Sequence, residues 1–339
     1  MFRNLIIFLT VIVGLTASSL GLAQEAEDRS YILTTATTGG TYYPVGVAIA
    51  TLTKVRLEPT TGVSLSAISS AGSGENVRLL REDEAQFAIL QGLYGAWAWA
   101  GEGPLADDGA QSNLRSITML WPNVEQLVVR RQFVETGTIA DLGNLRGRRL
   151  SIGARNSGTE GSGRHILGAL DFAPDEDFEL IYQGYGPSAD SLQNGLIDAM
   201  NAPAGIPVAA LTRAFAADGD RLTILEFTDQ QIEQVNAAYP LWTRFEIPAD
   251  TYPSQSEPIQ TVAQPNFLSV RADIDEEAVY QITKSIYENL SFLVGIHSAT
   301  AHMSLDRAIA GLPMPLHPGA LRYYEEVGLE IPERLRPVE

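Results

Sequence analysis

Short apolar runs alternate with helically spaced stretches along most of the chain. Tyr31 to Thr35 predicts a strand ending at Gly39-Gly40-Thr41, and Val45 to Val55 carries Val45, Ala48, Ile49 and Leu52 at helical spacing. A second strand, Val63 to Ile68, precedes Ser70-Ala71-Gly72-Ser73-Gly74 and a helix from about Glu75 to Arg81. A third, Gln86 to Leu90, leads into a helical stretch holding Tyr94, Trp97 and Trp99. Three successive strand-loop-helix units predict a parallel sheet covered by helices.

Two extended runs follow, Leu114 to Leu120 and Val124 to Val129, and then the cadence restarts. Arg149 to Ile152 predicts a strand, Glu160 to Leu170 a helix, Glu179 to Tyr182 a strand, Ser188 to Asn194 a helix, and Ala199-Met200 the core of a short strand. This second set of units, entered by an extended crossing segment, predicts a second lobe. Leu222 to Phe227 is expected as the return strand. The segment with Pro240, Pro248, Pro253, Pro258 and Pro265 is expected to drape over the lobes rather than enter a central sheet. Phe267 to Val270 predicts a late strand, and Glu276 to Ile296 one long amphipathic helix.

The first 23 residues have a different pattern. Arg3 supplies a short positive region, Leu5 to Leu15 an apolar stretch, and Ala17, Ser18, Ser19 and Gly21 lead to a cleavage position after Ala23. That order predicts a secretory signal peptide, the apolar run being shorter than the roughly 20 residues of a membrane span. The expected division is residues 1–23 as signal, 29–125 as the first part of lobe 1, 126–222 as lobe 2, and 223–339 as a return to lobe 1 with C-terminal helices.

Composition narrows the chemistry. The 339 residues contain no Cys, which excludes disulfides, thiolate metal sites, a cysteine nucleophile and lipid attachment at a cysteine. A formal charge of −18, one unit more negative without residues 1–23, disfavours nucleic acid and anionic lipid as partners. There is no phosphate-binding Gly-Lys loop, no His-Glu-x-x-His helix and no Gly-x-Ser-x-Gly elbow. His165, His297, His302 and His317 are dispersed and are expected to have structural roles. No cofactor and no metal are expected.

Three glycine-rich junctions remain: Gly39-Gly40-Thr41-Tyr42-Tyr43-Pro44, Ser70-Ala71-Gly72-Ser73-Gly74, and Asn156-Ser157-Gly158-Thr159-Glu160. Small residues let backbone approach a ligand, and free N–H groups at a helix start favour an anion. The alternative is ordinary capping by Ser73, Ser157 and Thr159. Gln91 stands at the carboxyl end of the third strand, where open α/β sheets bind ligands. Asn201-Ala202-Pro203-Ala204-Gly205 offers small residues at the end of the second-lobe strand. Tyr94, Trp97 and Trp99 form a possible aromatic wall, and Arg155 and Arg164 possible carboxylate partners, with surface ion pairs the alternative.

The stretch Thr38-Gly-Gly-Thr-Tyr-Tyr-Pro-Val-Gly resembles the opening motif of the TAXI-type solute receptors of TRAP (tripartite ATP-independent periplasmic) transporters. The resemblance continues through Gly74-Glu-Asn-Val-Arg-Leu-Leu, Ala88-Ile-Leu-Gln91, Asp141-Leu-Gly-Asn-Leu-Arg-Gly-Arg-Arg-Leu-Ser-Ile-Gly and Asn156-Ser-Gly-Thr-Glu. Late in the chain, Pro248-Ala-Asp-Thr-Tyr-Pro, Gly311-Leu-Pro-Met-Pro-Leu-His-Pro-Gly-Ala and Arg322-Tyr-Tyr fit as well, so it spans roughly residues 30–328. Two departures are the loop Ser70-Ala-Gly-Ser-Gly and the pair Gly92-Leu93 after Gln91.

The resemblance implies an α/β, two-lobed periplasmic-binding-protein fold of type II character, with a ligand cleft at the hinge. It implies a monomeric, non-catalytic periplasmic receptor that hands a small carboxylate, such as glutamate, glutamine or a dicarboxylate, to the membrane subunits of an ion-gradient-driven TRAP permease. By position it implies ligand contacts from Gly40, Thr41, Tyr42, Gln91, Ser157 and Thr159. Ser73, Gly158, Pro203 and Gly205 join them from the loop reading. Two other functions remain open: a ligand sensor for a signalling kinase, and a hydrolase or transferase acting on a small acid.

Overall fold

The computed structural model describes residues 29–337; the expected signal peptide lies outside them. The first lobe opens with β1 (Arg29–Thr34), α1 (Tyr42–Arg56), a short α2 (Glu58–Thr61), β2 (Val63–Ile68), α3 (Ser73–Arg81), β3 (Phe87–Gln91) and α4 (Gly92–Ala100). β1 lies between β2 and β3, parallel to both, as expected for strands joined through helices. All five residues of β3 are buried, which explains why its run Phe-Ala-Ile-Leu is continuous rather than alternating.

β4 (Leu114–Val124) leads through Glu125 and Gln126 into β5 (Leu127–Arg130), which begins the second sheet. The second lobe adds β6 (Arg149–Ser151), α5 (Gly158–Ala169), a short α6 (Pro174–Asp177), β7 (Glu179–Ile181), α7 (Tyr185–Gln193), β8 (Ala199–Asn201), α8 (Ala209–Asp218) and β9 (Leu222–Ile224). Its strand order is β7-β6-β8-β5-β9. The expected return strand is thus an edge of this second sheet, because β9 pairs with β5 through Leu222 to Ile224.

The remaining elements are α9 (Asp229–Asn236), β10 (Thr243–Ile247), β11 (Ile259–Arg271), α10 (Glu276–Glu288), α11 (Leu290–Ile296) and α12 (Pro318–Glu326). β11 rejoins the first sheet. It pairs antiparallel with β4 along one edge, and with β10 and then β3 along the other. This corrects the expectation for the proline-rich segment, since Pro265 lies inside a central strand. It is tolerated because the missing N–H falls where β11 changes partner, between Ala263 against β10 and Asn266 against β3.

The long C-terminal helix is also two pieces. Asn289, at φ −131° and ψ 30°, breaks it, and its side-chain amide bonds back to the Ser285 carbonyl. Among the described residues no helix is long and apolar enough to cross a membrane.

The segment between β4 and β5 crosses from the first sheet to the second. Val124 exchanges backbone hydrogen bonds with Ala204, at 2.9 and 3.0 Å, and Ala202 donates to the Gln126 carbonyl. On its other side Glu125 donates its N–H to Val262 of β11 at 2.9 Å and accepts from the Thr261 hydroxyl at 2.7 Å. One strand therefore touches both sheets at the point where the chain passes between them.

Candidate functional site

The three glycine-rich junctions meet face to face between the lobes. Glu75, in the first turn of α3, donates its N–H to the Asn156 carbonyl of the second lobe at 2.9 Å. Asn156 stands at φ +60°, a left-handed conformation that Asn tolerates, and this aims its carbonyl at α3. A Cβ on Gly74 would lie 2.5 Å from that carbonyl oxygen, and one on Gly158 would lie 2.6 Å from the Gln91 side chain. The lobes are closed on one another, and glycine is what lets them approach.

Between them is a cavity lined from both lobes. Gly40, Thr41, Tyr42, Ser73 and Gln91 come from the first lobe; Ser157, Gly158, Thr159 and Pro203 come from the second. Gly205, expected among them, stands behind the wall: its carbonyl accepts from the Thr41 hydroxyl at 2.9 Å, and its α-carbon packs against Trp121 and Ala299. No Asp, Glu, Lys, Arg or His lines the cavity.

Each lining group has a definite role. Ser157 is the N-cap of α5, its hydroxyl accepting from Glu160 N–H at 3.1 Å. That leaves the Gly158 and Thr159 amides at the helix start without an intrahelical acceptor. Ser73 accepts from Gln91 N–H at 3.1 Å, joining α3 to the end of β3. The Tyr42 hydroxyl reaches Asn266 Oδ1 at 2.5 Å, and burial raises its pKa well above the ordinary tyrosine range. Gln91 is 2% exposed, and its Oε1 has no hydrogen-bond partner within the protein, so a buried acceptor stands beside the cavity. Such an atom is costly unless something donates to it.

The residue that sequence reading missed is Tyr185. Its hydroxyl donates to the Pro203 carbonyl at 2.7 Å and meets Thr159 Oγ1 at 2.7 Å. Since the phenol proton is committed to Pro203, the Thr159 hydroxyl donates to Tyr185. Burial raises the Tyr185 pKa, opposed by the Thr159 bond, so it stays a neutral phenol. The signal was present: Gln183-Gly184-Tyr185-Gly186-Pro187 is a fourth small-residue junction between strand and helix. The expected helix start at Ser188 placed Tyr185 outside it, whereas α7 begins at Tyr185 itself. Ala71 and Gly72 of the second glycine-rich junction also line the cavity, as do Thr37 and Ala154, which were not singled out.

The other candidates lie elsewhere. Tyr94 and Trp97 pack edge to face and border a separate groove with Asn156, Arg164 and His165, while Trp99 lies under Arg115. Arg164 pairs with Asp175 at 2.7 Å, and Arg155 stacks 3.8 Å over the Tyr182 ring. His317 and His297 cap α12 and a short turn; His165 meets the Val235 carbonyl and stacks on Trp242; His302 meets Arg307. Among the described residues no cluster of three His, Cys, Asp or Glu could hold a metal ion.

A family model described as NMT1-like matches residues 33–328. The chain belongs to the NMT1-like family. Solved structures share the fold of this NMT1-like protein at low identity. MatC from Rhodopseudomonas palustris, with bound malate, is 13% identical over 88% of this chain and 97% of its own, with a TM-score of 0.53. A binding-protein component of an ABC phosphonate transporter from Pseudomonas aeruginosa is 10% identical over 80% and 79%, with a TM-score of 0.50. The fold is α/β and two-lobed, that of the periplasmic binding proteins. The cavity lies between the lobes, in front of the crossing segment.

Proposed function

We propose that this NMT1-like protein is a periplasmic solute receptor that captures a small carboxylate between its lobes and hands it to the membrane subunits of a TRAP permease. The observation that carries the reading is the convergence of glycine-rich junctions from both sheets on one closed, uncharged cavity. First-turn amides and the Ser157 hydroxyl, whose proton is not used in capping, supply hydrogen-bond donors, and the dipoles of α3 and α5 favour negative charge where their starts meet. The net charge of −18 acts outside the cleft, screened over about 8 Å at physiological salt, so local dipoles govern what binds.

The lining has no carboxylate to pair with an ammonium group, which favours a dicarboxylate or a hydroxy acid over an amino acid within the carboxylate class. The malate bound to MatC, a protein of the same fold, belongs to that class. Gln91 Oε1 would accept from a hydroxyl on the solute. Binding without turnover is the preferred reading because no general base stands beside Ser73, Ser157 or Thr159 in the lining. Export through a cleaved signal ending at Ala23 follows the order of the first 23 residues, and delivery to an ion-gradient-driven permease follows the TAXI resemblance; a monomeric state is part of the same reading.

Native mass spectrometry of protein purified without refolding tests this directly. A retained carboxylic acid, lost in the Thr159→Ala and Tyr185→Phe variants, is the expected result. A thermal-shift screen in which no carboxylate raises the melting temperature would defeat the proposal, because a ligand held only by the folded state must raise it.

A further inference from the structure

Glu125 is a buried carboxyl on the crossing segment, 2% exposed and outside the solute cavity. Groups from both lobes enclose it. From the second lobe, Asn201 at the end of β8 donates to Oε2 at 3.4 Å, and Ser162 of α5 approaches. From the first-lobe side, Trp242, just before β10, donates its indole N–H to Oε1 at 3.4 Å, and Gln264 of β11 approaches. Both bonds are long for a charged acceptor, and no cation is among its hydrogen-bond partners. On one side it borders an apolar cavity lined by Leu127, Leu150, Ile166 and Phe227.

The titratable group facing it is the Tyr185 phenol of α7, which stays protonated; His165 of α5 stands behind Trp242, stacked on it at 5.0 Å and bonded to the Val235 carbonyl. Charged groups on the surrounding elements are engaged elsewhere. Arg130 of β5 binds the Leu192 and Ile197 carbonyls, and Arg164 of α5 pairs with Asp175 and with Glu160 of the same helix. Arg244 of β10 pairs with Asp229. Asp141, under the apolar cavity, is taken by the backbone of Thr136 and Gly137.

We propose that Glu125 is a proton-operated latch at the hinge: the lobes close over its protonated carboxyl, and ionisation favours their opening. Closure buries the carboxyl among neutral donors, and rotation about the crossing segment would draw Trp242 and Gln264 away from Asn201 and Ser162 and admit water. Burial sets the direction, pushing the carboxyl up to about 7 against the opposing bonds from Trp242 and Asn201. A proton taken from solvent on closing is returned on opening, so closure is favoured as pH falls through neutrality. This coupling does not depend on which solute fills the cleft.

Small-angle X-ray scattering of the ligand-free protein between about pH 4.5 and pH 8.5 reads the latch. The radius of gyration is expected to rise with pH and to level off above about 7, its midpoint lying between that value and the ordinary carboxylate range. Glu125→Gln should stay compact at both ends of the range. Asn201→Asp, which sets a second acid beside Glu125, should move the midpoint upward, while His165→Gln should leave it in place. A wild-type radius that does not change, or a Glu125→Gln curve that follows the wild type, would overturn the latch while leaving the solute-receptor reading intact.

Discussion

Replacing Gly74 by Ala should strengthen the fold and weaken solute capture at once. Gly74 lies in the first turn of α3 with an ordinary backbone conformation, so alanine there gains helix propensity of up to about 1 kcal/mol. Its new Cβ would stand 2.5 Å from the Asn156 carbonyl oxygen, against the 3.4 Å of ordinary contact. That oxygen belongs to the backbone of the other lobe and cannot swing aside as a flexible side chain would. The lobes must part there, and the 2.9 Å bond from Glu75 N–H to the same carbonyl is lost with the contact. One such bond is worth about 1 kcal/mol, and the steric separation adds to it, so affinity should fall by about tenfold or more. Calorimetric titration with the retained solute, beside thermal unfolding of the ligand-free protein, measures the two effects separately. Gly168→Ala is the control, since nothing lies within 4 Å of its added methyl in α5: stability should rise with affinity unchanged. A Gly74→Ala protein that binds as tightly as the wild type would refute the closed contact between α3 and Asn156.

Further outcomes are expected at the cleft and hinge. Tyr185→Phe leaves the buried Pro203 carbonyl and the Thr159 hydroxyl without their shared partner, and affinity should drop by about tenfold. In a double-mutant cycle Thr159→Ala should add little to it, because both act through one chain of bonds. Asn76→Ala removes bonds to Thr34, Ser70 and the Thr35 and Ile89 carbonyls, and urea unfolding should show a loss of about 3 kcal/mol. Glu125 holds its proton more tightly when folded, up to about 7 against an ordinary 4.5, so the folded state binds more protons between those values. Stability should therefore fall as pH rises across that window, by up to about 3 kcal/mol, and be flat above it. Glu125→Gln should abolish that slope; a slope that persists assigns it to another group.

Much of the first lobe is legible because its signals are local. β3 reads as a strand, expected from Gln86 to Leu90, since both its faces are covered, and the apolar spacing of α1 survives in its buried Val45, Ala48, Ile49 and Leu52. The failures lie where tertiary context overrides local grammar. Pro265 argues against a central strand until β11 is seen to change neighbours at that residue. Asn289 has no proline or glycine beside it to announce a break, and the helix ends there because its backbone leaves the helical region. Tyr185 sits in a junction of the same kind as the other three, but a helix start judged three residues late hid it. Glu125 gave no signal either: one acid among 41 is unremarkable until neutral groups from both lobes surround it.

The sequence by itself determined the alternation of strands and helices, the absence of cysteine chemistry, and the glycine-rich junctions, because each depends on residue type and near spacing. The tertiary structure decided which of those junctions face one another. It also turned Gly205 from lining into support, made Tyr185 the link between Thr159 and Pro203, and buried one carboxyl at the hinge. Such outcomes rest on distances between residues far apart in the chain. They are set by how two sheets close about a crossing strand, which no local pattern encodes.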